Sequence, residues 1–258
     1  MKNYIANLIK YRHLIIELVI RDIKVKYKKS ILGILWTLLN PLLTMVVLTI
    51  VFSNLFRFDI ENFPVYLITG QVMFNFFSEA TNMSMMSIND NAQLIKKVYI
   101  PKYIFPISKV LSSFVNLIFS LAAVFIIVVF MRIPIRISSI FSILSLGYIL
   151  LFAAGIGLIL VSLNVFFRDI QHLYGVLLTA WMYLTPIFYP VNIIPEQFKW
   201  LVAANPLFYM IQHFRASILY GSVPSVELNL ICFMNAIGAF AIGLFVFYKA
   251  QDRFILHI

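Results

Sequence analysis

The chain has 258 residues, of which 62% are hydrophobic and 12% charged, and its mean hydropathy is +0.95. A soluble domain is about half apolar and a quarter charged, so these values exclude a soluble enzyme and fit an all-α, multi-pass membrane protein. One cysteine, Cys232, excludes an intrachain disulfide, and the net charge of +10 is accounted for by topology below.

Residues 4–23 read as an amphipathic helix. At about 100° per residue, Ile5, Leu8, Ile9, Ile15, Ile16, Val19 and Ile23 share one face, with Lys10, His13, Glu17, Arg21 and Lys24 largely opposite. This pattern suits a helix lying in the headgroup plane. Arg12 falls on the apolar face and must snorkel or find a partner. The run Leu14–Ile20 is interrupted by Glu17 and no small-residue cleavage site follows, so it does not read as a signal peptide. The lysine-rich stretch Lys24–Lys29 reads as a headgroup anchor or as a docking surface for a cytoplasmic partner.

A spanning helix needs about 20 mainly apolar residues. Six such segments follow, at roughly 33–56, 64–86, 104–131, 138–165, 170–189 and 227–248. The chain is thus one transmembrane domain over 1–258, with an interfacial helix and basic run (1–32) leading into a six-span bundle (33–258). Six spans put both termini on one side. Placing them in the cytoplasm leaves only Arg57, Arg132, Arg136, Lys199 and Arg215, of the 20 basic residues, on the other face. The positive-inside bias decides the orientation, and nucleic acid need not be invoked to explain the charge.

Within the second span Glu79 is the one deeply placed acid. An intramembrane ionisable residue is a functional candidate by default, but a lone acid is thin ground for ion coupling, and a structural ion pair or hydrogen bond is the simpler reading. The loop after this span runs from Asn89 through Asn91, Leu94, Ile95, Lys96 and Lys97 to Pro101. Asn or Asp can cap a short helix carrying Leu94, Ile95 and Val98 on one side. Such a helix is either a lever for a soluble partner or an ordinary positive-inside loop.

Arg168-Asp169 lies where the fourth and fifth spans meet, and an ion pair stapling the turn is expected there. The fifth span breaks at Thr185-Pro186, and a half-polar segment follows with Pro190, Pro195, Asn205-Pro206 and Arg215. Non-helical backbone at membrane depth is tolerated only where protein buries it or water reaches it, which points to a pathway rather than an anchor. Pro186 and Pro195 mark corners, and Asn205-Pro206 resets the chain for a short helix, Leu207–Tyr220. Arg215 is too costly to face lipid and is expected to face outer water, headgroups or the exit of a conduit.

Chemistry is absent from the pattern. His13, His172, His213 and His257 are scattered without metal-ligand spacing. No Gly-rich loop precedes Lys-Ser/Thr, so no P-loop can form, and no catalytic, cofactor-binding or metal-binding residue is expected. Deep aromatics (Trp36, Phe74, Phe76, Phe77, Trp181, Tyr183) read individually as packing, although aromatic faces can also let sugar rings slide past.

The chain resembles the permease subunits of type-2 ABC exporters for polysaccharides, the O-antigen, capsule and teichoic-acid exporters. The resemblance rests on the loop Asn91-Ala92-Gln93-Leu94-Ile95-Lys96-Lys97 with Pro101, on Phe166-Phe167-Arg168-Asp169-Ile170, and on the run from Tyr183-Leu184-Thr185-Pro186 to Pro190. Ile194-Pro195, Asn205-Pro206-Leu207, Trp36 and Pro41-Leu42-Leu43 add to it. It implies a homodimer bound to two copies of a separate cytoplasmic ABC ATPase that holds ATP and Mg. It implies a lipid-linked glycan moved across the bacterial cytoplasmic (inner) membrane, in contact with membrane lipids. It also implies that 89–97 include a coupling helix, with Asn91, Leu94, Ile95, Lys96 and Lys97 joined by Arg21 and Lys24 at the ATPase. The first and fifth spans would line the conduit, with Trp36, Phe74, Phe77, Trp181 and Tyr183 as candidates. Re-entrant outer-face helices over 193–220 would close the exit, with Pro186, Pro195, Pro206 and Arg215 at the gate.

Two other classes compete. An ion-coupled secondary transporter or channel should show several intramembrane acids or histidines and often repeat symmetry; only Glu79 answers. An integral membrane glycosyltransferase needs an acid/base pair at the membrane surface, and none is visible.

Overall fold

The computed structural model describes residues 9–28, 30–52 and 60–257. Helices account for the regular structure, and no strand occurs among the described residues. The expected apolar positions Ile5 and Leu8 lie outside them.

The first helix, α1 (Arg12–Tyr27), packs on the bundle by a different face from the one its apolar pattern marks. Leu18 and Asp22 are buried, whereas Ile16 is 51% exposed and Arg12 is exposed. A carboxylate can turn inward here because α5 (Ile104–Phe130) meets it with Lys109 and Ser112.

Two further helices begin the bundle, α2 (Leu35–Val51) and α3 (Phe63–Asp90), followed by the short α4 (Ala92–Lys97). Pro41 sits inside α2, where it cannot donate to the carbonyl of Thr37. Ser120 Oγ of α5 donates to that carbonyl instead, at 2.9 Å. After α5, a 3₁₀ turn over Ile137–Phe141 leads into α6 (Ser142–Phe166), and α7 (Ile170–Leu184) follows a tight turn. Two 3₁₀ turns precede α8 (Lys199–Ala203) and α9 (Pro206–Ile218), and α10 (Val226–Ala250) closes the bundle.

Four helical stretches are long and apolar enough to cross a membrane: Gly33–Val51, Ile104–Phe130, Ile137–Phe166 and Val226–Leu256. The other two expected spans differ for physical reasons. The 28-residue α3 is the centre of the bundle, buried continuously from Val65 to Phe74. Shielded from lipid, it carries Thr69, Gln71, Thr81, Ser84 and Ser87 buried, and the hydroxyls of Thr69 and Thr81 bond back to the carbonyls of Val65 and Phe77. α7 is apolar but ends after 15 residues at Leu184, short of the expected 189, because Pro186 stops it.

The most extensive helix pair is α6 with α10. Gly155 and Gly243 lie backbone to backbone there, and a Cβ on either would collide with main-chain atoms of the facing helix. Small residues that let backbones touch are the usual basis of helix association in a membrane.

Candidate functional site

One end of the bundle gathers α1, α4, the α6–α7 turn and the C-terminal 3₁₀ turn Gln251–Leu256. It holds most of the basic residues and is called the basic end. Its centre is Asp22, whose Oδ1 accepts from Lys109 Nζ (3.0 Å) and Arg21 Nη2 (3.2 Å), while Ser112 Oγ donates to Oδ2 at 3.4 Å. The Arg21 guanidinium also donates to Asn91 Oδ1 at 3.3 Å. Asn91 stands at the N-cap position of α4, but its side chain makes no capping bond and instead turns back, donating to Ser87 O at 2.7 Å. α1 and the start of α4 are therefore tied directly.

Of the expected apolar side of α4, Ile95 is buried in a small core with Leu18, Ile88, Phe105, Val161 and Phe254, and Leu94 packs partly against it. Gln93, Lys96, Lys97, Val98 and Tyr99 remain exposed, Tyr99 at 95%. Lys24 is exposed on α1. Arg168 and Asp169 are both exposed and no ion pair joins them among the described residues; the turn closes through backbone bonds from His172 N and Leu173 N to Asp169 O instead.

Glu79 has partners. Its Oε1 accepts from Lys26 Nζ at 2.8 Å and from Asn116 Nδ2 at 2.7 Å. The pair sits in a cleft of 380 Å³ between α2, α3 and α5, which also takes in Trp36. The other aromatics divide. Phe77 is fully buried, edge-on to Trp181 (5.2 Å between centroids) and stacked near Phe152 (5.5 Å), with Phe74 buried beside it. Both are buried in the hydrophobic core of the chain. Tyr183 is 60% exposed.

At the opposite end, Arg215 departs from expectation. It is 4% exposed and faces neither water nor headgroups. Its Nη1 donates to Pro186 O (2.8 Å), Nη2 to Tyr66 O (2.8 Å) and Ile187 O (3.3 Å), and its guanidinium carbon lies 3.4 Å from the centre of the Tyr66 ring. Tyr66 Oη donates toward the carbonyls of Pro186 and Tyr189. The break at Pro186 frees carbonyls that a continuous helix would have used, and arginine, with five donors in a planar fork, gathers them. Gly70 makes the room: a Cβ there would stand 2.6 Å from Arg215 Nη2.

Asn205 holds the next corner. Its Oδ1 accepts from Trp181 Nε1 (2.8 Å) and Leu207 N (3.1 Å), and its Nδ2 donates to Thr185 Oγ1 (2.8 Å). The end of α7 and the start of α9 are thus locked together, with Pro206 as first residue of α9. That helix is largely buried through Leu207, Met210, His213 and Phe214, and His213 bridges Ser145 and Asn229. Pro195 is exposed in the segment before it.

The sequence reading missed Asp22, Lys109, Asn116 and Gly70. Asp22 carried a weak signal, being the only acid between Glu17 and Asp59 in a strongly basic stretch. The described residues contain no group of three or more His, Cys, Asp or Glu that could hold a metal ion.

Residues 13–219 match the family model described as ABC-2 type transporter. An O-antigen export system permease protein of Klebsiella pneumoniae is 32% identical over 243 residues, 93% of each chain. One of Myxococcus xanthus is 32% identical over 230 residues, 88% of each chain. The polysialic acid transport protein KpsM of Escherichia coli is 26% identical over 249 residues, 93% of each chain.

Proposed function

Since the chain belongs to the ABC-2 type transporter membrane family, we propose that it is the permease subunit of an ATP-driven exporter that moves a lipid-linked polysaccharide, of O-antigen or related type, to the outer face of a bacterial cytoplasmic membrane. The observation that carries this reading is the similarity to O-antigen permeases over nearly the whole of both chains. The permease works as a homodimer with two copies of a separate ATPase, which holds ATP and Mg. We assign six spans, α2, α3, α5, α6, α7 and α10, with both termini in the cytoplasm. The central position of α3 and the termination of α7 at Pro186 support counting them with the four long apolar stretches. The basic end then faces the cytoplasm.

Coupling runs through α4. Ile95 anchors it, Arg21 holds Asn91, and Lys96, Lys97, Val98 and Tyr99 stand free for the ATPase. At the outer end, α8, α9 and the Pro186–Pro195 corner close the exit, and the Arg215 node holds that closure. Deleting the gene in the source bacterium tests the reading. Surface polysaccharide should disappear while lipid-linked glycan accumulates inside the cell, and complementation should restore export only with the ATPase present. Unchanged surface glycan in the deletion strain overturns it.

A further inference from the structure

The cleft around Glu79 contains more polar groups than the fold uses. Asn75 is exposed on α3, about 22 Å of helix rise from Asp90, and its amide makes no hydrogen bond among the described residues. Asn40 on α2 accepts from Thr44, and its Nδ2 makes no hydrogen bond among the described residues. Glu79 spends only Oε1 on Lys26 and Asn116. Trp36, 45% exposed, stands at the rim. Unpaired amides inside a span are costly and have no structural return here, since the neighbouring helices already pack through Ser120 and Asn116.

The chemistry of these groups selects a ligand. The cationic Lys26 and anionic Glu79 neutralise each other at 2.8 Å, so the cleft offers no net charge to an anion or a cation. It offers donors, acceptors and one broad aromatic face, within a volume of 380 Å³ that falls in the range of small-ligand sites, about 300–1,000 Å³. An acyl chain has no use for the amides. A neutral polyhydroxylated ring uses all of them. We propose that this cleft is a carbohydrate subsite for the exported chain, taking a pyranose unit whose C–H face packs on Trp36 and whose hydroxyls bond Asn40, Asn75 and the free oxygen of Glu79. The proposal rests on the polysaccharide-export reading above and adds a place where the glycan is held on the cytoplasmic half of each protomer.

The test uses the complete exporter in cells making the glycan. A photo-crosslinking amino acid is placed at Asn40, at Asn75, at Tyr183 on α7, and at Phe125, an exposed α5 position outside the cleft. Glycan-bearing adducts are expected at 40 and 75 and not at 125. Asn75 makes no side-chain hydrogen bond among the described residues, so Asn75→Leu should leave the amount of assembled complex unchanged yet lower export about tenfold, the effect of one or two lost hydrogen bonds. Lipid adducts alone at 40 and 75, or full export by the Asn40→Leu/Asn75→Leu double variant, overturns the subsite. Glycan adducts at 183 in that case leave the exporter reading standing, whereas unchanged surface glycan on gene deletion removes the reading itself.

Discussion

At the residue scale the molecule is organised by buried polar side chains whose partners lie far along the chain. Arg215 is the strongest case: a guanidinium without a carboxylate, satisfied by the carbonyls of Tyr66, Pro186 and Ile187 and by the Tyr66 ring. Removing it takes the guanidinium donors from three carbonyls, of which Pro186 O keeps the Tyr66 hydroxyl and Ile187 O loses its side-chain partner. Arg215→Met is therefore expected to cost about 3 kcal/mol or more, read as a lowered Tm of the detergent-solubilised complex. Arg215→Lys should recover little, because a single ammonium cannot span the same fork. Gly70→Ala pushes a methyl group into the guanidinium and should destabilise by about 1–3 kcal/mol. An Arg215→Met protein as stable as the parent would show that the node is incidental. Sequence alone marked Arg215 as too costly for lipid and sent it to outer water, headgroups or the exit of a conduit; its burial was not legible because the carbonyls that solvate it belong to residues up to 149 positions away.

At the scale of elements, α1 and α4 show how far pattern reading reaches. The short helix between Asn91 and Val98 was legible from its flanking Asn and Pro, and so was its exposed pair Lys96-Lys97. The docking face of α1 was not, because an inward Asp22 makes sense only beside Lys109, 87 residues later. That pair has side chains 6% and 13% exposed, so neutralising Asp22 takes the carboxylate from a largely buried lysine. Asp22→Asn should lower stability more in the parent than in a Lys109→Met background, and equal effects in both would mean the two groups are independent. For α4, the exposed residues separate coupling from folding. Lys96→Glu/Lys97→Glu and Val98→Asp should leave membrane insertion intact, since all three side chains are exposed. They should reduce co-purification of the ATPase and export by tenfold or more. Leu94 is a poorer probe, being half-packed against the basic-end core.

For the whole molecule, the all-helical architecture and the bounds of most helices follow from hydropathy, because a lipid-facing helix must be apolar along its length. The rule weakens where lipid is not the neighbour. α3 is surrounded by α2, α5 and α6 and keeps polar residues that a lipid-facing helix would not carry; α9 hides Arg215 and His213 in protein contacts. The six-span assignment thus depends on α3 and α7 as well as the four long apolar helices, and it makes a demand on the segment after Pro186. Single cysteines in a Cys232→Ala background test it; Cys232 is fully buried, and alanine fills most of its space. With an impermeant thiol reagent outside the cell, Asn192, Glu196 and Trp200 should label, because all are exposed beyond the end of α7. Met210, Ile211 and Phe214 should not, because α9 buries them. Lys97 and Arg168 should label only after permeabilisation, at the basic end. Nucleotide trapped in the ATPase should change reactivity between 191 and 204 if that segment closes the exit. Labelling of 97 or 168 from outside would invert the topology. Protection of the whole stretch from 191 to 218 would place it within the bilayer core or an interface between copies, and the six-span count would fall with the outer gate.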